Sequence, residues 1–521
     1  MGLKTGERRE PAAPRASTAT DGGTGALSPA EGVGRRVVAQ NALFLVLSQI
    51  VTAILSFAVT ALLARHLGAQ NYGVFYVAFS FVQSVFILVE LGQDFYVVRA
   101  VSRDRDRAGE YFGTGLALRA AATAAVYIPV MGAAHVLGYE EATRSAIALM
   151  VLFHFTSSLG NGFSVIYRGA ERMEFEAVSR VAFRTVVAAA TVIAILLDGG
   201  ILTVIEAQVL GAAAALPLLA LILRRLGVPR PTVNLRTARE ILRGGVPFLF
   251  YGIVTTAHAA IDAIMLSKLA PAEVVGWYGA AIRFVGILIF PATILAAALF
   301  PTLSRLFISR PEGYRLMTAT GLRAMLLLGM PIAAGTWLFA EQAVSLAYGL
   351  EDFSNAVTIL KVLSPYFILV FINIILGTAI MAANRQSAWA SSKGLCVLLV
   401  IGLNAALIPL CQTRFGNGGI GSASAMLFTE VVMLVAAFLL IPRATLVPAL
   451  WRDLGRILAA VAGMIGVAWL LRGVSSAITI PASGAAYVAL IFLLGGIDRE
   501  DVALLRDVAR IGSRGAIAGG R

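Results

Sequence analysis

The stretch LLARHLGAQNYGVFY, at residues 62–76, ends one apolar segment and begins the next through a short polar turn. A second stretch, MLSKLAPAEVVGWYG at residues 265–279, has the same pattern with one extra residue. The chain therefore repeats weakly, and the two copies are residues 41–224 and 243–441. Each copy holds six apolar segments, an even number, so both copies enter the membrane from the same side. Such parallel repeats are related by an axis along the membrane normal, with the substrate path between them.

Composition sets the class of protein. Of the 521 residues, 58% are hydrophobic and only 14% are charged, whereas soluble domains hold roughly 45–50% apolar and about 25% charged residues. A spanning helix needs about 20 mostly apolar residues. The sequence predicts an all-α integral membrane protein with about fourteen transmembrane helices, two six-helix lobes and two C-terminal helices. The predicted spans are 41–64, 73–97, 112–136, 145–167, 178–197, 201–224, 245–268, 276–303, 322–342, 358–382, 387–411, 418–441, 454–472 and 476–495.

The distribution of Lys and Arg predicts the orientation. With a cytoplasmic N-terminus, 34 of the 42 Lys and Arg residues fall on the inner side and 6 on the outer side. Cytoplasmic loops of membrane proteins collect such residues. We therefore expect a multi-pass protein of the cytoplasmic (inner) membrane with both termini cytoplasmic. The same rule accounts for the net charge of +13, so no nucleic-acid partner is expected.

These observations predict six regions along the chain. The first is a disordered cytoplasmic tail rich in Pro, Ala, Gly, Thr and Arg, without a signal-peptide pattern. Two lobes follow, joined by a basic cytoplasmic linker, and then spans 13 and 14 and a second tail. The ranges are 1–36 for the tail, 37–224 for the N-lobe, 225–243 for the linker, 244–441 for the C-lobe, 442–497 for spans 13 and 14, and 498–521 for the C-tail.

Several classes of chemistry have no motif in this sequence. Cys396 and Cys411 lie 15 residues apart in one predicted helix, about 22 Å, which is too far for a disulfide. No Cys/His cluster indicates a metal, and no Walker A loop or nucleophile elbow is present. We therefore expect no cofactor, no metal and no enzymatic activity.

Two segments of the N-lobe carry a resemblance to a known family. LLARHLGAQNYGVFYVAFSFVQSVF has a small Leu-Gly step, a polar spacer and then Tyr-Gly, and ELGQDFYVVRAVSRDRDR has an acid and a Gly followed by an Arg and a charged loop. Both resemble the polysaccharide-export (oligosaccharide flippase, Wzx-like) branch of the multidrug/oligosaccharidyl-lipid/polysaccharide (MOP) transporter superfamily. The resemblance covers about residues 41–441.

The resemblance implies a flippase in cell-surface polysaccharide biosynthesis. Such proteins move a lipid-linked oligosaccharide, typically on polyprenyl diphosphate, between leaflets by rocking two six-helix lobes. Coupling to H+ or Na+, contacts with membrane lipid and a partnership with the polysaccharide polymerase and export machinery would fit that role.

Two opposite charges fall inside neighbouring spans. Asp262 lies seven residues before the outer turn that begins at Leu269, and Arg283 lies seven residues after Gly276, where that turn ends. Seven residues are about 10 Å of helix, so both lie at the same depth on antiparallel spans. We predict that they pair. The pair either joins spans 7 and 8 as a structural ion pair, or opens on protonation of Asp262 so that Arg283 binds a diphosphate.

Polar residues precede Asp262 on the same face of span 7. His258 lies four residues before it and Thr255 three residues earlier still. A single His in a span is usually a packing group, but a Thr-His-Asp stripe at the lobe interface also fits a proton or substrate role. We predict an ion-coupling or gating role for Asp262 and His258, and a substrate contact for Thr255.

Span 1, the repeat counterpart of span 7, is also polar on one face. Ser48, Thr52, Ser56 and Thr60 recur every four residues, with Gln49 beside the first. Their hydroxyl groups either bond to their own helix or form a hydrophilic wall for sugar hydroxyls. On the second interpretation Ser48, Gln49 and Thr52 are candidate substrate contacts.

Five further ionisable residues are candidates because a charge in a membrane is costly without a partner or a cavity. Glu90 and Arg119 lie at equal depth on spans 2 and 3, which predicts an inner ion pair or, for Arg119, a diphosphate contact. Glu430 lies in the middle of span 12, which favours an ion-coupling role. Arg184 and Arg65 either bind an anion or reach towards the interface.

Three alternatives remain open from the sequence. A cation-coupled multidrug antiporter of the same superfamily would favour acidic and aromatic residues in its cavity, whereas this chain offers arginines there. A non-transporting scaffold of an envelope-assembly complex would not need charges in mid-membrane. A membrane glycosyltransferase would need an acidic site in a loop, and the outer loops are short.

Overall fold

The fold is seen in a computed structural model that describes residues 29–90, 92–441 and 449–496. Within these ranges, side chains are described except at 29–43, 247–248, 250–260 and 449–451. The predicted C-tail and most of the predicted N-terminal tail lie outside the described residues. We call the membrane face at which α1 begins the inner face, and the opposite one the outer face.

The described residues form sixteen helices and no strand. In chain order they are α1 (Pro29–Glu90), α2 (Gln93–Arg103), α3 (Ala108–Val136), α4 (Glu141–Gly169), α5 (Met173–Leu196), α6 (Ile201–Arg224), α7 (Leu235–Leu269), α8 (Ala272–Leu288), α9 (Phe290–Ser309), α10 (Pro311–Leu338), α11 (Ala340–Tyr348), α12 (Ser354–Ala382), α13 (Gln386–Phe415), α14 (Gly418–Leu440), α15 (Ala449–Leu470) and α16 (Ser476–Leu493).

The helices confirm an all-α membrane protein with about twelve to fourteen spans. Twelve helical segments of the described residues are long and apolar enough to cross a membrane. One of them, Phe44–Arg103, has 60 residues and would measure about 90 Å if straight, three times the apolar thickness of a bilayer. It holds predicted spans 1 and 2. Helix α7 contains predicted span 7 and begins ten residues before it, within the predicted linker.

Gly68 turns the chain between spans 1 and 2. Its backbone has φ 70° and ψ 170°, inside a run that otherwise continues as helix. This conformation is essentially restricted to glycine, because a Cβ atom would clash with the backbone. Gly68, the glycine of the Leu-Gly step in the repeat motif, is therefore the residue at which α1 reverses direction.

The surface and the interior divide as expected for a protein surrounded by lipid. Large apolar side chains point outward along the spans, for example Leu196, Leu439 and Leu493. Small and aromatic residues fill the interior, where α1 packs against α5, α7 and α8. Without water in the bilayer core, the helices satisfy their own backbone groups. We keep the names N-lobe and C-lobe for the predicted segments.

Candidate functional site

The two repeat copies meet at the outer face through equivalent small residues. A Cβ atom on Gly73 would lie 1.8 Å from the carbonyl oxygen of Ala272, and one on Gly276 would lie 2.0 Å from that of Ala69. Gly73 and Gly276 occupy the same place in the two repeat motifs, and each follows its alanine by four residues. The two backbones can approach closely because each helix has small residues at that spacing.

Cations and aromatic rings add to this outer contact. Arg65 donates hydrogen bonds to the carbonyl oxygens of Ser345, at 3.1 Å, and Leu346, at the C-terminal end of α11. Lys268 Nζ lies 3.2 Å from the centre of the Tyr139 ring. Cations at helix C-termini and over aromatic faces are both favourable. Arg65 therefore bridges the lobes at the outer face, and its predicted role as a substrate contact stays a prediction.

The inner ends of the lobes also touch, through the linker. Pro229 and Thr232 pack their backbones against Gly109 and Gly113 of α3. Arg107 donates to Glu240 of α7 at 3.4 Å. Segment 225–243 is thus packed against the N-lobe.

Between these contacts lies a cavity of ≈ 140 Å³, the interlobe cavity. Its polar lining comes from α1, α5, α6 and α8, and aromatic side chains of α1 and α4 complete the wall. The polar residues are Ser56, Thr60, Arg184, Thr191, Gln208 and Arg283. Of these, Arg184 and Arg283 were predicted anion contacts, and the structure brings them to one cavity.

Neither arginine of the cavity has an acidic partner among the described residues. Arg184 is exposed and makes no ion pair in the described part of the chain. The guanidinium of Arg283 lies 5.2 Å from the centre of the Phe79 ring, and its Nε is buried without a hydrogen bond. Both positively charged side chains line the same cavity. The interlobe cavity is therefore electropositive.

The predicted pair between Asp262 and Arg283 is wrong. Asp262 is only 7% exposed, and its two oxygens accept hydrogen bonds from Tyr278 Oη at 2.9 Å and Asn404 Nδ2 at 2.6 Å. Tyr278 and Arg283 are five residues apart on α8, which turns Arg283 by about 140° away from the Asp262 side. The side chain that reaches Asp262 from α8 is thus Tyr278, about 7.5 Å along the helix from Arg283.

Asp262 is thus part of a buried polar cluster inside the C-lobe, with Tyr278 and Asn404. Neither partner was predicted, although Asn404 is a polar residue in the middle of span 11 and could have been noticed for that reason. The predicted roles of Thr255 and His258 concern side chains outside the described residues.

The predicted polar face of span 1 divides into two parts. Ser48 Oγ donates to the carbonyl oxygen of Leu45 at 2.9 Å, and Thr52 Oγ1 donates to that of Ser48 at 2.8 Å. Both side chains are buried, and their hydroxyl groups are satisfied by their own helix. Gln49 Oε1 accepts a hydrogen bond from Arg180 at 2.7 Å. None of the three lines the interlobe cavity, which the later residues of the same face reach.

The predicted pair between Glu90 and Arg119 is also wrong. Arg119 is 2% exposed and donates to Asp94 Oδ1 at 2.5 Å and to Ser158 Oγ at 2.7 Å. Helix α1 ends at Glu90, and Gly92 takes a left-handed conformation before α2 begins. This break changes the helical register, so the acid four residues later reaches the arginine instead. Arg119 is enclosed and does not line the interlobe cavity.

Removing Asp94 tests this assignment. Asp94→Ala would leave the buried Arg119 without its acidic partner, and we expect the free energy of unfolding to fall by about 3 kcal/mol. This value is at the low end of the range for buried ion pairs, because Asp94 is partly exposed. Glu90→Ala is the matched control, expected to cost less than about 1 kcal/mol. Thermal unfolding of the purified protein measures both. A larger loss for Glu90→Ala would contradict the assignment.

Glu430 has a partner that the sequence did not indicate. Asn373 Nδ2 donates to Glu430 Oε2 at 2.6 Å, from α12 to α14. Both line a second cavity, which lies within the C-lobe and shares no residue with the interlobe cavity. The described residues contain no group of three or more His, Cys, Asp or Glu side chains that could hold a metal ion.

Comparisons with known proteins identify the family to which the chain is similar. The family model described as "Polysaccharide biosynthesis protein" matches residues 38–307, about half of the chain. No curated protein matches the sequence.

Solved structures share the fold at low identity. A structure titled "Lipid II flippase MurJ, inward closed conformation" is 13% identical, with 88% of this chain and 99% of that chain covered and a TM-score of 0.69. An inward-facing MATE multidrug resistance transporter of the MOP superfamily is 15% identical, with 74% and 94% covered and a TM-score of 0.61.

A third structure, the MATE transporter DinF-BH in complex with R6G, is 16% identical, with 81% and 98% covered and a TM-score of 0.55. The families that these comparisons reach contain transporters and flippases, which confirms the resemblance found in the sequence. The chain belongs to the polysaccharide biosynthesis protein family, and it shares the fold of the MurJ flippase and of MATE transporters.

Proposed function

We propose that the protein is a flippase for a lipid-linked oligosaccharide carried on polyprenyl diphosphate, acting in cell-surface polysaccharide biosynthesis. The observation that carries the proposal is the interlobe cavity, where Arg184 and Arg283 lie together without an acidic partner among the described residues. Bilayer insertion of one arginine costs roughly 2.5–3.5 kcal/mol even on the mildest scale. Two such groups at one cavity are stabilised by an anionic ligand.

The chemistry of the two side chains favours a diphosphate. Guanidinium groups are planar, permanently charged and able to form bidentate hydrogen bonds with phosphate oxygens. Ser56, Thr60 and Gln208 offer hydroxyl and amide groups on the same cavity for the sugar. The structurally similar MurJ is a lipid II flippase, which favours a lipid-linked substrate.

Movement between leaflets would proceed by alternating access. The outer contact at Gly73 and Gly276 and the inner contact at Arg107 and Glu240 lie on opposite sides of the cavity. Opening one while the other stays closed exposes the arginines to one side at a time. The charge pattern places the inner side, and both termini, in the cytoplasm. Membrane lipid and the polysaccharide polymerase and export machinery would be its partners.

A multidrug antiporter is the second candidate, because MATE transporters share the fold. An electropositive cavity repels the cationic compounds that such an antiporter would move. Proteoliposomes holding a fluorescent polyprenyl-diphosphate sugar or a cationic dye separate the two. We expect movement of the lipid-linked sugar and none of the dye. Dye movement without lipid movement would support the antiporter, and movement of neither would favour the scaffold.

Asp262 of the C-lobe is the first candidate for coupling to H+ or Na+. The other candidates are Glu430 and His258 of the C-lobe and Glu90 of the N-lobe. Asp262→Asn tests it with little change in shape, because the amide oxygen still accepts from Asn404 while the amide nitrogen donates to Tyr278. We expect a folded protein whose flipping no longer responds to an imposed ion gradient. Proteoliposomes with set pH and Na+ gradients measure this. An unchanged gradient response would remove Asp262 from the coupling scheme.

A further inference from the structure

A second cavity, the C-lobe pocket, has polar side chains in its lining and shares no residue with the interlobe cavity, where we place the diphosphate. It measures ≈ 280 Å³ and lies between α12, α13 and α14. The residues that matter here are Asn373, Gly377, Trp389, Lys393, Cys396 and Glu430.

Oxygen atoms occupy one end of this pocket. The Glu430 carboxylate is held by Asn373 Nδ2 at 2.6 Å. Asn373 is only 5% exposed, and its Oδ1 is buried without a hydrogen-bond partner. A buried acceptor without a donor costs about 1–3 kcal/mol. Glu430 and Asn373 both line this pocket, and a ligand that carries N–H donors and positive charge would compensate the carboxylate and the unpaired amide oxygen.

The indole of Trp389 favours an organic cation over a metal ion. A Cβ atom on Gly377 would lie 2.8 Å from the indole, so the absence of a side chain there lets the ring lie against α12. Ammonium groups are attracted to the face of an indole ring. The pocket is also much larger than a bare ion with two ligands would fill.

Lys393 places a positive charge on the same pocket. It is exposed and makes no ion pair with Glu430 or any other described acid. Counted along the helices, Lys393 lies about 10 Å from the inner end of α13 and Glu430 about 15 Å from that of α14, an offset of about 5 Å. A simple cation would be opposed by Lys393, and a simple anion by Glu430.

We propose that the C-lobe pocket binds a small zwitterion, with its ammonium group between Glu430, Asn373 and Trp389 and its anionic group at Lys393. A ligand with both charges compensates both unpaired groups, whereas a single charge leaves one of them opposed. Phosphoethanolamine has this chemistry, either free in solution or as the headgroup of a phospholipid.

Calorimetric titration of the full-length protein in detergent tests the proposal. Phosphoethanolamine is the probe, and ethanolamine and glycerol 3-phosphate each lack one of its charges. We expect saturable binding of phosphoethanolamine, at least about tenfold weaker binding of each control, and at least a tenfold loss in Glu430→Gln and in Lys393→Gln. Lys361→Gln, an exposed lysine outside the pocket, should bind normally. Absence of saturable binding, or equal binding by the pocket variants, overturns the proposal.

Two further measurements complete the test. In a Cys411→Ser protein, bound phosphoethanolamine should slow the reaction of Cys396 with N-ethylmaleimide at least about threefold. This measurement does not depend on the folding of a pocket variant. An unchanged reaction rate contradicts the proposal. Nanodiscs of phosphatidylglycerol, with and without phosphatidylethanolamine, identify the source. Weaker binding of phosphoethanolamine in the nanodiscs that contain phosphatidylethanolamine indicates competition by the lipid and supports a headgroup as the ligand. Equal binding in the two kinds of nanodisc supports a free zwitterion.

Discussion

Replacing Arg283 by alanine is expected to weaken binding of a polyprenyl-diphosphate sugar about 10- to 100-fold. The reason is the loss of charge-assisted hydrogen bonds worth about 1.5–3 kcal/mol, where 1.4 kcal/mol is a factor of ten. Arg184→Ala should have a similar effect, because both side chains line the interlobe cavity. Arg283→Lys should recover part of the affinity, since lysine restores the charge but not the bidentate geometry.

Binding of a fluorescent analogue to the purified protein measures these changes. Arg414→Ala is the matched control, because Arg414 is exposed at the end of α13 and lies outside the interlobe cavity. Wild-type affinity in both cavity variants, with a folded protein, would remove the arginines from the binding site. An equal loss in Arg414→Ala would indicate a general charge effect rather than a site.

The second large effect is expected at the outer contact. Gly276→Ala would place a Cβ atom 2.0 Å from the Ala69 carbonyl oxygen, so the outer contact cannot form without separating the helices. Overpacking of this kind costs typically 1–3 kcal/mol, enough to shift the equilibrium towards an open outer face about tenfold. Flipping should slow, because the outer face can no longer close.

Labelling of a cysteine introduced at Ala69 reports this opening. Ala69 is buried in the contact, so a membrane-impermeant maleimide should react slowly with the Ala69→Cys protein and about ten times faster once Gly276→Ala is added. Gly286→Ala on the same helix is the control, because its Cβ atom would meet nothing within 4 Å. Equal labelling in the two double variants would show that the glycine contact does not close the outer face.

The membrane fold was predictable because every span must be an apolar segment long enough to cross the bilayer. Apolar length and the Lys and Arg distribution identify spans without knowledge of packing. The repeat also predicted a lobe interface, and the equivalent glycines Gly73 and Gly276 do meet there. The turn at Gly68 falls at the small step that the motif had marked.

The partners of the charged residues were less predictable, because depth alone does not fix direction around a helix. Arg283 faces the cavity rather than Asp262, and Asn404 bonds to Asp262 from a helix more than a hundred residues later. The break after Glu90 gave Arg119 a different acid, Asp94. Such long-range pairings depend on packing that no local pattern encodes.

The most direct test of the central claim is the initial rate at which reconstituted protein flips a polyprenyl-diphosphate sugar. The claim is that the arginines of the interlobe cavity carry the diphosphate between leaflets. We predict flipping by the wild type and by Arg414→Ala, and loss of at least about 99% of the rate in Arg184→Ala/Arg283→Ala, as expected for the loss of two charge-assisted contacts. Flipping by the folded double variant at the wild-type rate would contradict the account.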